Sequence, residues 1–312
     1  MRFTLRQLEV FVAVARQESV SRAAEALSLS QSATSTALGE LERQFDCRVF
    51  DRAGKRLTLN ALGRQLLPKA VALLDRSAEV ENLLRGKTGF GSLEVGATLT
   101  IGNYLATLLL GDFMQRHPDC RVRLHVHNTA SVVQRIANHD IDLGLIEGDC
   151  QHPDLEVQPW IEDELVVFCA PGHALASQQA AQAELEAQAW ILREQGSGTR
   201  LTFDQAMRHH AQPLDVRLEL EHTEAILRAV ESGLGIGCLS RLALRDAFAR
   251  GTLVPIATPT LDLRRQFCFI WHKQKYQTGA MVEFLDLCRQ LTRGLSRSDQ
   301  IDTARPRPRI DH

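Results

Sequence analysis

The stretch that most restricts how this chain can fold is Val20-Ser21-Arg22-Ala23-Ala24-Glu25-Ala26-Leu27-Ser28-Leu29-Ser30-Gln31-Ser32-Ala33-Thr34-Ser35. Ala23, Ala24 and Leu27 fall on one helical face, and residues this small let a second helix cross closely. Ser28-Leu29-Ser30 interrupts the pattern, because serine side chains compete for backbone hydrogen bonds and favour turns and caps. A new helix then starts at Gln31 and carries Ala33, Leu38, Leu41 and Phe45. Two short helices crossing over a tight turn lay the second helix in the major groove of a duplex.

The flanks complete a winged helix-turn-helix. Thr4 is placed to cap a first helix bearing Leu5, Leu8, Phe11, Val12 and Ala15, and Ser21 to cap the second. Cys47 to Leu59 reads as a two-stranded wing turning at Ala53-Gly54, with Arg52, Lys55 and Arg56 at its tip. A helix from about Asn60 to Leu84 carries Leu66, Ala70, Leu73, Ser77, Val80 and Leu84 at alternating spacings of four and three. That is a heptad stripe, and it calls for the same helix of a second subunit. Pro68 inside this segment predicts a bend or a late start.

The net charge of −2 conceals an asymmetry: residues 1–90 hold 14 Lys/Arg against 10 Asp/Glu, and the remainder 22 against 28. A basic head on an acidic body suits one end that meets phosphates. No apolar run approaches the ~20 residues needed to span a bilayer. The N-terminus lacks the features of a signal peptide, so a cytoplasmic protein without membrane contact is expected. The 7 cysteines include no CxxC pair, which points to reduced, mostly buried thiols.

Beyond a glycine-rich hinge at 85–91 the texture changes to alternating strands and helices, with strands read at 92–97, 121–127, 141–146, 165–170, 216–221, 235–239 and 266–271. Such β-α units imply a mostly parallel sheet covered by helices, as one large sheet or two linked subdomains. The last stretch, 294–312, is polar and proline-interrupted and is expected to be disordered.

These residues together resemble the LysR-type transcriptional regulators. The resemblance rests on Leu5-Arg6-Gln7-Leu8 with Phe11, Ser21-Arg22-Ala23-Ala24, Leu29 to Ser35, Leu41-Glu42, Val49-Phe50-Asp51-Arg52 and Leu57-Thr58-Leu59-Asn60-Ala61-Leu62-Gly63. It implies an all-α winged head at 1–59, a dimerising linker helix at 60–86 and an α/β effector domain at 91–293 built like a periplasmic binding protein. The expected subdomains are 91–160 with 267–293, and 161–266. It also implies homodimers pairing into homotetramers on promoter DNA, with RNA polymerase as a further partner. Many members carry Arg or Lys where this chain has Thr36, which removes one expected DNA contact. Arg193 to Arg200 and Thr98 to Tyr104 are similar to the branch that senses small oxyanions or carboxylates, including regulators of sulfur assimilation and carbon fixation.

The candidate DNA contacts are Ser21, Arg22, Ser30, Gln31, Ser32, Ser35 and Thr36 with Arg52, Lys55 and Arg56 of the wing. A Gln amide can read adenine, hydroxyls donate to base or backbone oxygens, and Arg suits phosphates or the minor groove. Ser30 is equally a plain helix cap and Arg22 a solvated charge. The candidate effector site is Thr98, Thr100, Ile101 and Gly102 opposite Gly196, Ser197, Gly198 and Thr199, with Glu147, His222 and Thr223 at neighbouring strand ends. Helix starts present unpaired N–H groups and partial positive charge, so they hold anions. Thr223 is alternatively a helix cap. Glu147 repels an anion unless it binds a positive group or orients a donor.

Gly196-Ser197-Gly198-Thr199 lacks the Gly-Lys-Ser/Thr of a P-loop, and the glycines at 233, 235 and 237 read as close packing. His125 with His127 and the His209-His210 pair lack a third ligand, so neither metal nor cofactor is expected. No nucleophile-base succession supports an enzyme. The alternatives to an effector-responsive regulator are a constitutive DNA-binding regulator and a redox-responsive one using a cysteine.

Overall fold

The computed structural model describes residues 2–53, 56–86, 90–208 and 213–302. The head begins with α1 (Leu5–Gln17), closed by a capping box. Thr4 Oγ1 accepts from the Gln7 N–H at 3.2 Å while Gln7 Oε1 accepts from the Thr4 N–H at 2.9 Å. The cap of α2 (Val20–Ala26) is Ser19, which accepts from the Arg22 N–H, so Ser21 is an exposed helical residue and not the cap expected. The shift arises because Glu18 turns into the left-handed region at φ 50°, which ends α1 early and leaves Ser19 extended at φ −154°. Ser28 at φ 54° reverses the chain, and Ser30 caps α3 (Gln31–Gln44) by accepting from the Ala33 N–H at 3.1 Å.

The wing is β1 (Phe50–Ala53) antiparallel to β2 (Arg56–Leu59). Its turn residues Gly54 and Lys55 lie outside the described residues. Asn60 caps α4 (Ala61–Leu84) through the Gly63 N–H at 2.8 Å. Gly63 is obligatory here, since a Cβ would stand 2.1 Å from the Val49 carbonyl oxygen. A late start at Pro68 is therefore overturned. The helix begins at Ala61, and Pro68 is accommodated inside it as a buried ring.

The second region is one nine-stranded sheet ordered β4-β3-β5-β11-β6-β9-β7-β8, with β10 paired to β6. In chain order come β3 (Ser92–Ala97), α5 (Leu99–Ile101), a π turn (Gly102–Ala106), α6 (Thr107–Arg116), β4 (Arg121–Val126), α7 (Thr129–Ala137) and β5 (Leu143–Glu147). Next are β6 (Leu155–Cys169), α8 (Gln182–Glu186), β7 (Ala189–Arg193), α9 (Gly198–Ala206), β8 (Asp215–Leu220), α10 (Thr223–Glu231) and β9 (Ile236–Ser240). The chain closes with α11 (Arg241–Arg250), β10 (Val254–Ile256), β11 (Arg264–His272) and α12 (Gly279–Leu291).

Both flanks are parallel, but the centre is antiparallel, because β6 and β11 carry the chain from one half to the other and back. Two crossing strands must run in opposite directions, so the sheet is mixed and not mostly parallel. The expected subdomain limits at 160/161 and 266/267 fall inside these two strands. One half packs α6 and α12 on β3, β5 and β11 around Phe113, Phe267, Phe269 and Phe284. The other gathers Trp190, Phe203 and Met207 on one face of its strands and Phe168, Ile226 and Leu244 on the other.

The expectation of a disordered 294–312 is overturned for its first part. Ile301 is 1% exposed in the first core and Ser298 is equally buried. Burying one isoleucine and satisfying a buried carboxylate outweighs the polar composition of this short segment. Residues 303–312 lie outside the described residues.

The linker helix is fastened to the first half. Lys275 Nζ lies 2.7 Å from Asp75 of α4 and 2.6 Å from Asp142, while Glu79 of α4 accepts from Tyr276 Oη at 3.0 Å and the Gly279 N–H at 3.1 Å.

Candidate nucleic-acid interface and anion cleft

Gln31, Ser32, Ser35 and Thr36 are all exposed, while Thr34, Leu38 and Leu41 turn inward. The spacing i, i+1, i+4, i+5 puts the four on one outer face of α3. Ser30 combines its cap with a 3.0 Å hydrogen bond to Ser32. Arg22 is exposed beside this face on α2, and Arg56 is exposed on β2. Arg52 is described only as a residue of β1, and Lys55 lies outside the described residues.

The second site forms where the two halves of the sheet meet. Thr98 follows β3 at the N-cap of α5 and donates its N–H to the Leu145 carbonyl at 3.0 Å. The Thr100 N–H, at the start of α5, reaches Glu147 Oε1 at 3.0 Å, and Thr199 Oγ1 of α9 reaches Glu147 Oε2 at 3.2 Å. Glu147 thus orients donors, one of the roles that reconcile it with an anion site. Arg265 Nη1 lies 3.0 Å from Glu147 Oε2 and 2.9 Å from Thr199 Oγ1, and its Nε lies 2.7 Å from Asp163 Oδ2.

These charges are sealed, with Arg265 and Glu147 side chains 1% exposed and Asp163 0%. Burial pushes Glu147 up, but the Arg265 guanidinium and the Thr100 donor outweigh it and hold the carboxyl below its ordinary range. Burial raises Asp163, and Arg265 with its serine donors offsets only part of this. Among the described residues, Arg265 Nη2, Ser197 Oγ and Thr223 Oγ1 are buried donors without a hydrogen-bond partner, besides ring nitrogens of His117 and His139 elsewhere. Buried polar groups left unsatisfied call for a ligand, water or ion.

A cleft with a volume of about 470 Å³ is bordered by Leu99, Asn103, His127, Asn128, Ser131 and His222, together with the carboxylates Glu194 and Glu221. His222 is the exposed N-cap residue of α10, so Thr223 is the first helical residue and its hydroxyl caps nothing. Ile101 does not line the site; its side chain is fully buried in the first core. The Gly102 N–H is spent on the Thr98 carbonyl, and Gly102 is required because Val126 would stand 2.9 Å from a Cβ.

The loop before α9 closes directly on the other half. Gly196, at φ 87°, accepts from the Ala130 N–H at 3.1 Å, and the Gly198 N–H donates to Thr129 Oγ1 at 3.0 Å. A Cβ on Gly198 would stand 2.3 Å from the Glu147 carbonyl oxygen. Gly198→Ala therefore forces the halves apart, and overpacking of this kind costs about 1–3 kcal/mol. Titration with sulfate or phosphate should show affinity falling roughly 10- to 100-fold; unchanged affinity would mean that this closure does not shape the site.

Sequence reasoning missed Arg265, Asp163 and Thr129. The sequence pattern starts this strand at Gln266, two residues after its actual beginning, so Arg265 does not read as a buried charge. The glycines at 235 and 237 do serve close packing, since Cβ atoms there would meet the Ala189 carbonyl and the Phe168 ring at 2.3 and 2.7 Å. Among the described residues no three metal-ligating side chains cluster. Glu94 takes His125 at 2.7 Å and Arg135 takes His127 at 3.0 Å. Burial holds the Cys120, Cys169 and Cys268 thiols at about 11 and Cys238 at about 12, against the thiolate that peroxide chemistry requires.

Residues 5–64 match the family model described as "Bacterial regulatory helix-turn-helix protein, lysR family", and 87–293 match "LysR substrate binding domain". The chain is 42% identical over 288 residues to the uncharacterized HTH-type transcriptional regulator YeiE of Escherichia coli K12, covering 92% of this chain and 98% of that protein. It is 33% identical to the RuBisCO operon transcriptional regulator of Allochromatium vinosum, covering 91% and 96%. The regulatory domain of Synechocystis CcmR, solved in complex with 2-PG, is 31% identical and superposes with a TM-score of 0.61 over 66% of this chain and 99% of that one. A full-length OxyR variant from Pseudomonas aeruginosa shares the fold at TM-score 0.71 and 21% identity, with both chains covered completely. The chain belongs to the LysR family of bacterial transcriptional regulators.

Proposed function

We propose that the effector of this regulator is a small oxyanion or carboxylate seated between the two halves of the sheet. The observation that carries this reading is the buried Arg265 guanidinium with one nitrogen lacking a partner, alongside two unpartnered hydroxyls. Arg265 Nη2, Ser197 Oγ and Thr223 Oγ1 supply the donors. Thr98, Thr100, Glu147 and Thr199 hold them in place. That the similar CcmR regulatory domain was solved in complex with 2-PG supports a small-molecule effector for this region. The test is calorimetry of the whole chain with sulfite, sulfate, phosphate and small carboxylates. A binder must also raise thermal stability, because a ligand favours only the state that holds its site; no binding by any of them overturns the reading.

The head at 1–59 reads promoter DNA through α3 and the wing, and the linker at 60–86 pairs two subunits. Leu73, Val80, Leu83 and Leu84 are 37%, 56%, 65% and 84% exposed along α4, an apolar stripe that a second α4 would cover. Two such dimers form a tetramer, and anion binding in the 91–293 effector domain changes how the paired heads bend the duplex. The work is done in the cytoplasm, with RNA polymerase as partner and without catalysis. Gln31→Ala should lower specific operator affinity by about 1–3 kcal/mol while leaving non-specific duplex binding intact. Gel-shift titration at fixed salt reads both, and equal specific affinity would remove Gln31 from the base contacts.

A further inference from the structure

Asp163 and Arg265 are register partners on the two crossing strands β6 and β11, and every remaining bond of Asp163 leads away from the cleft. Its Oδ1 accepts from Ser240 Oγ at 2.7 Å and from Ser298 Oγ at 2.5 Å. Ser240 is the cap of α11, in the second half of the sheet region. Ser298 comes from the segment after α12, whose polar, proline-interrupted sequence gave no sign of order.

That segment is a strap across both halves. Ile301 is sunk in the core of the first half, while its carbonyl accepts from Arg245 of α11 at 3.0 Å. Four residues earlier, Arg297 forms a parallel bridge to Glu162 of β6 and lies 3.3 Å from Glu164. The strap therefore presents one buried hydroxyl to one buried carboxylate, at the point where the chain crosses between halves.

We propose that residues 294–302 are a working part of the effector site, with Ser298 as a positioning residue. Its hydroxyl holds Asp163, Asp163 holds the Arg265 guanidinium by Nε, and the free Nη2 is thereby aimed at the ligand. The inference rests on the anion reading above. The physical reason is geometric: a guanidinium is planar, so fixing Nε and Nη1 by two carboxylates fixes the direction of Nη2. Removing Ser298 leaves one lone-pair direction of a fully buried carboxylate without a donor, and Asp163 meets that loss by turning or taking a proton. Either response releases Arg265.

The test is calorimetric titration of the full chain with whichever of sulfite, sulfate or phosphate the unaltered protein binds. Ser298→Ala should weaken that affinity roughly 10-fold, while Ser298→Thr, which keeps the donor, should restore it to within about 3-fold. Operator affinity without anion should stay unchanged in both, as neither touches the head. Equal affinity in Ser298→Ala and the unaltered chain overturns the inference while the anion reading stands. Equal weakening by alanine and threonine also overturns it, by assigning the loss to packing. Should the alanine variant fail to fold, Ser298→Cys, a weaker donor of similar size, must show the loss in its place. Failure of the unaltered protein to bind any probe is a different result, and it removes the anion reading together with this one.

Discussion

Arg265→Met should destabilise the chain by about 3–5 kcal/mol and abolish its response to anions. The side chain neutralises Glu147 and Asp163, both sealed from water, so its loss strands two carboxylates that cannot be rehydrated without opening the sheet. The pH dependence tests this assignment more sharply than the loss itself. In the native chain Glu147 is held below its ordinary range. A depressed folded-state value contributes stability above the unfolded value, and that contribution is lost as pH falls through the folded one. Without Arg265 the largest opposing charge is gone, and burial outweighs the remaining Thr100 and Thr199 donors and pushes Glu147 upward, so the sign reverses. Acidification then relieves the variant, while the native contribution of Glu147 is kept down to the ordinary carboxylate value and is lost only below it. The gap in Tm between the two should be widest near pH 7.5 and narrow steadily toward the carboxylate range, about pH 4.5. A gap independent of pH would show that the damage is lost packing and not stranded charge. Arg265→Lys separates the roles further. It retains the charge but not the fork, so it should recover most of the stability and little of the anion response.

Legibility in the sequence followed the range over which each feature is determined. Thr4, Ser30 and Asn60 act on N–H groups within three residues, and all three cap as their spacing implies. Ser21 failed because Ser19 competes for the same end, and the winner was set by the left-handed turn at Glu18. Parallel flanks of the sheet were legible from short β-α repeats. The antiparallel centre was not, because pairing of β6 with β11 joins residues about a hundred positions apart and leaves no local periodicity. Part of the proposed anion site could be read for the same reason: Thr98, Thr100, Ser197 and Thr199 stand at helix starts, which are local events. Arg265, Asp163 and Ser298 were not, since their meaning is created only when two strands and a terminal strap meet.

Lys275→Met should uncouple the head from the effector region, and it tests how a signal at Arg265 reaches the DNA. Lys275 is 4% exposed and stands between Asp75 of the linker helix and Asp142 beside β5. Burial lowers its basicity, but the two carboxylates outweigh this and raise it above the ordinary lysine range. A raised folded-state value means that the stabilisation is fully present below the unfolded value and is lost only as pH rises through the folded one. The latch is therefore engaged throughout the neutral range. Methionine matches the volume but leaves Asp75 and Asp142 facing each other without a counter-charge. Both are partly solvated, at 25% and 17% exposure, so the cost should be about 2–3 kcal/mol, below that of a sealed pair. That cost falls on the contact between α4 and the first half of the sheet, where Glu79 with Tyr276 and the Gly279 N–H, and Arg76 over the Tyr276 ring, remain, beside the head's own Arg16 contact with His139 and Asp140. Scanning calorimetry should accordingly show separate melting of head and effector region in the variant and joint melting in the native chain. Anion binding should be nearly unchanged, because the cleft lies elsewhere, while the anion-dependent change in operator affinity should vanish. Coupling between two sites exists only through an element that both bias. If the variant still shifts its operator affinity on anion binding by the native factor, the signal does not depend on the Lys275 latch, and the route runs through another contact, such as that of Arg16 on α1 with His139 and Asp140, or across the interface between copies.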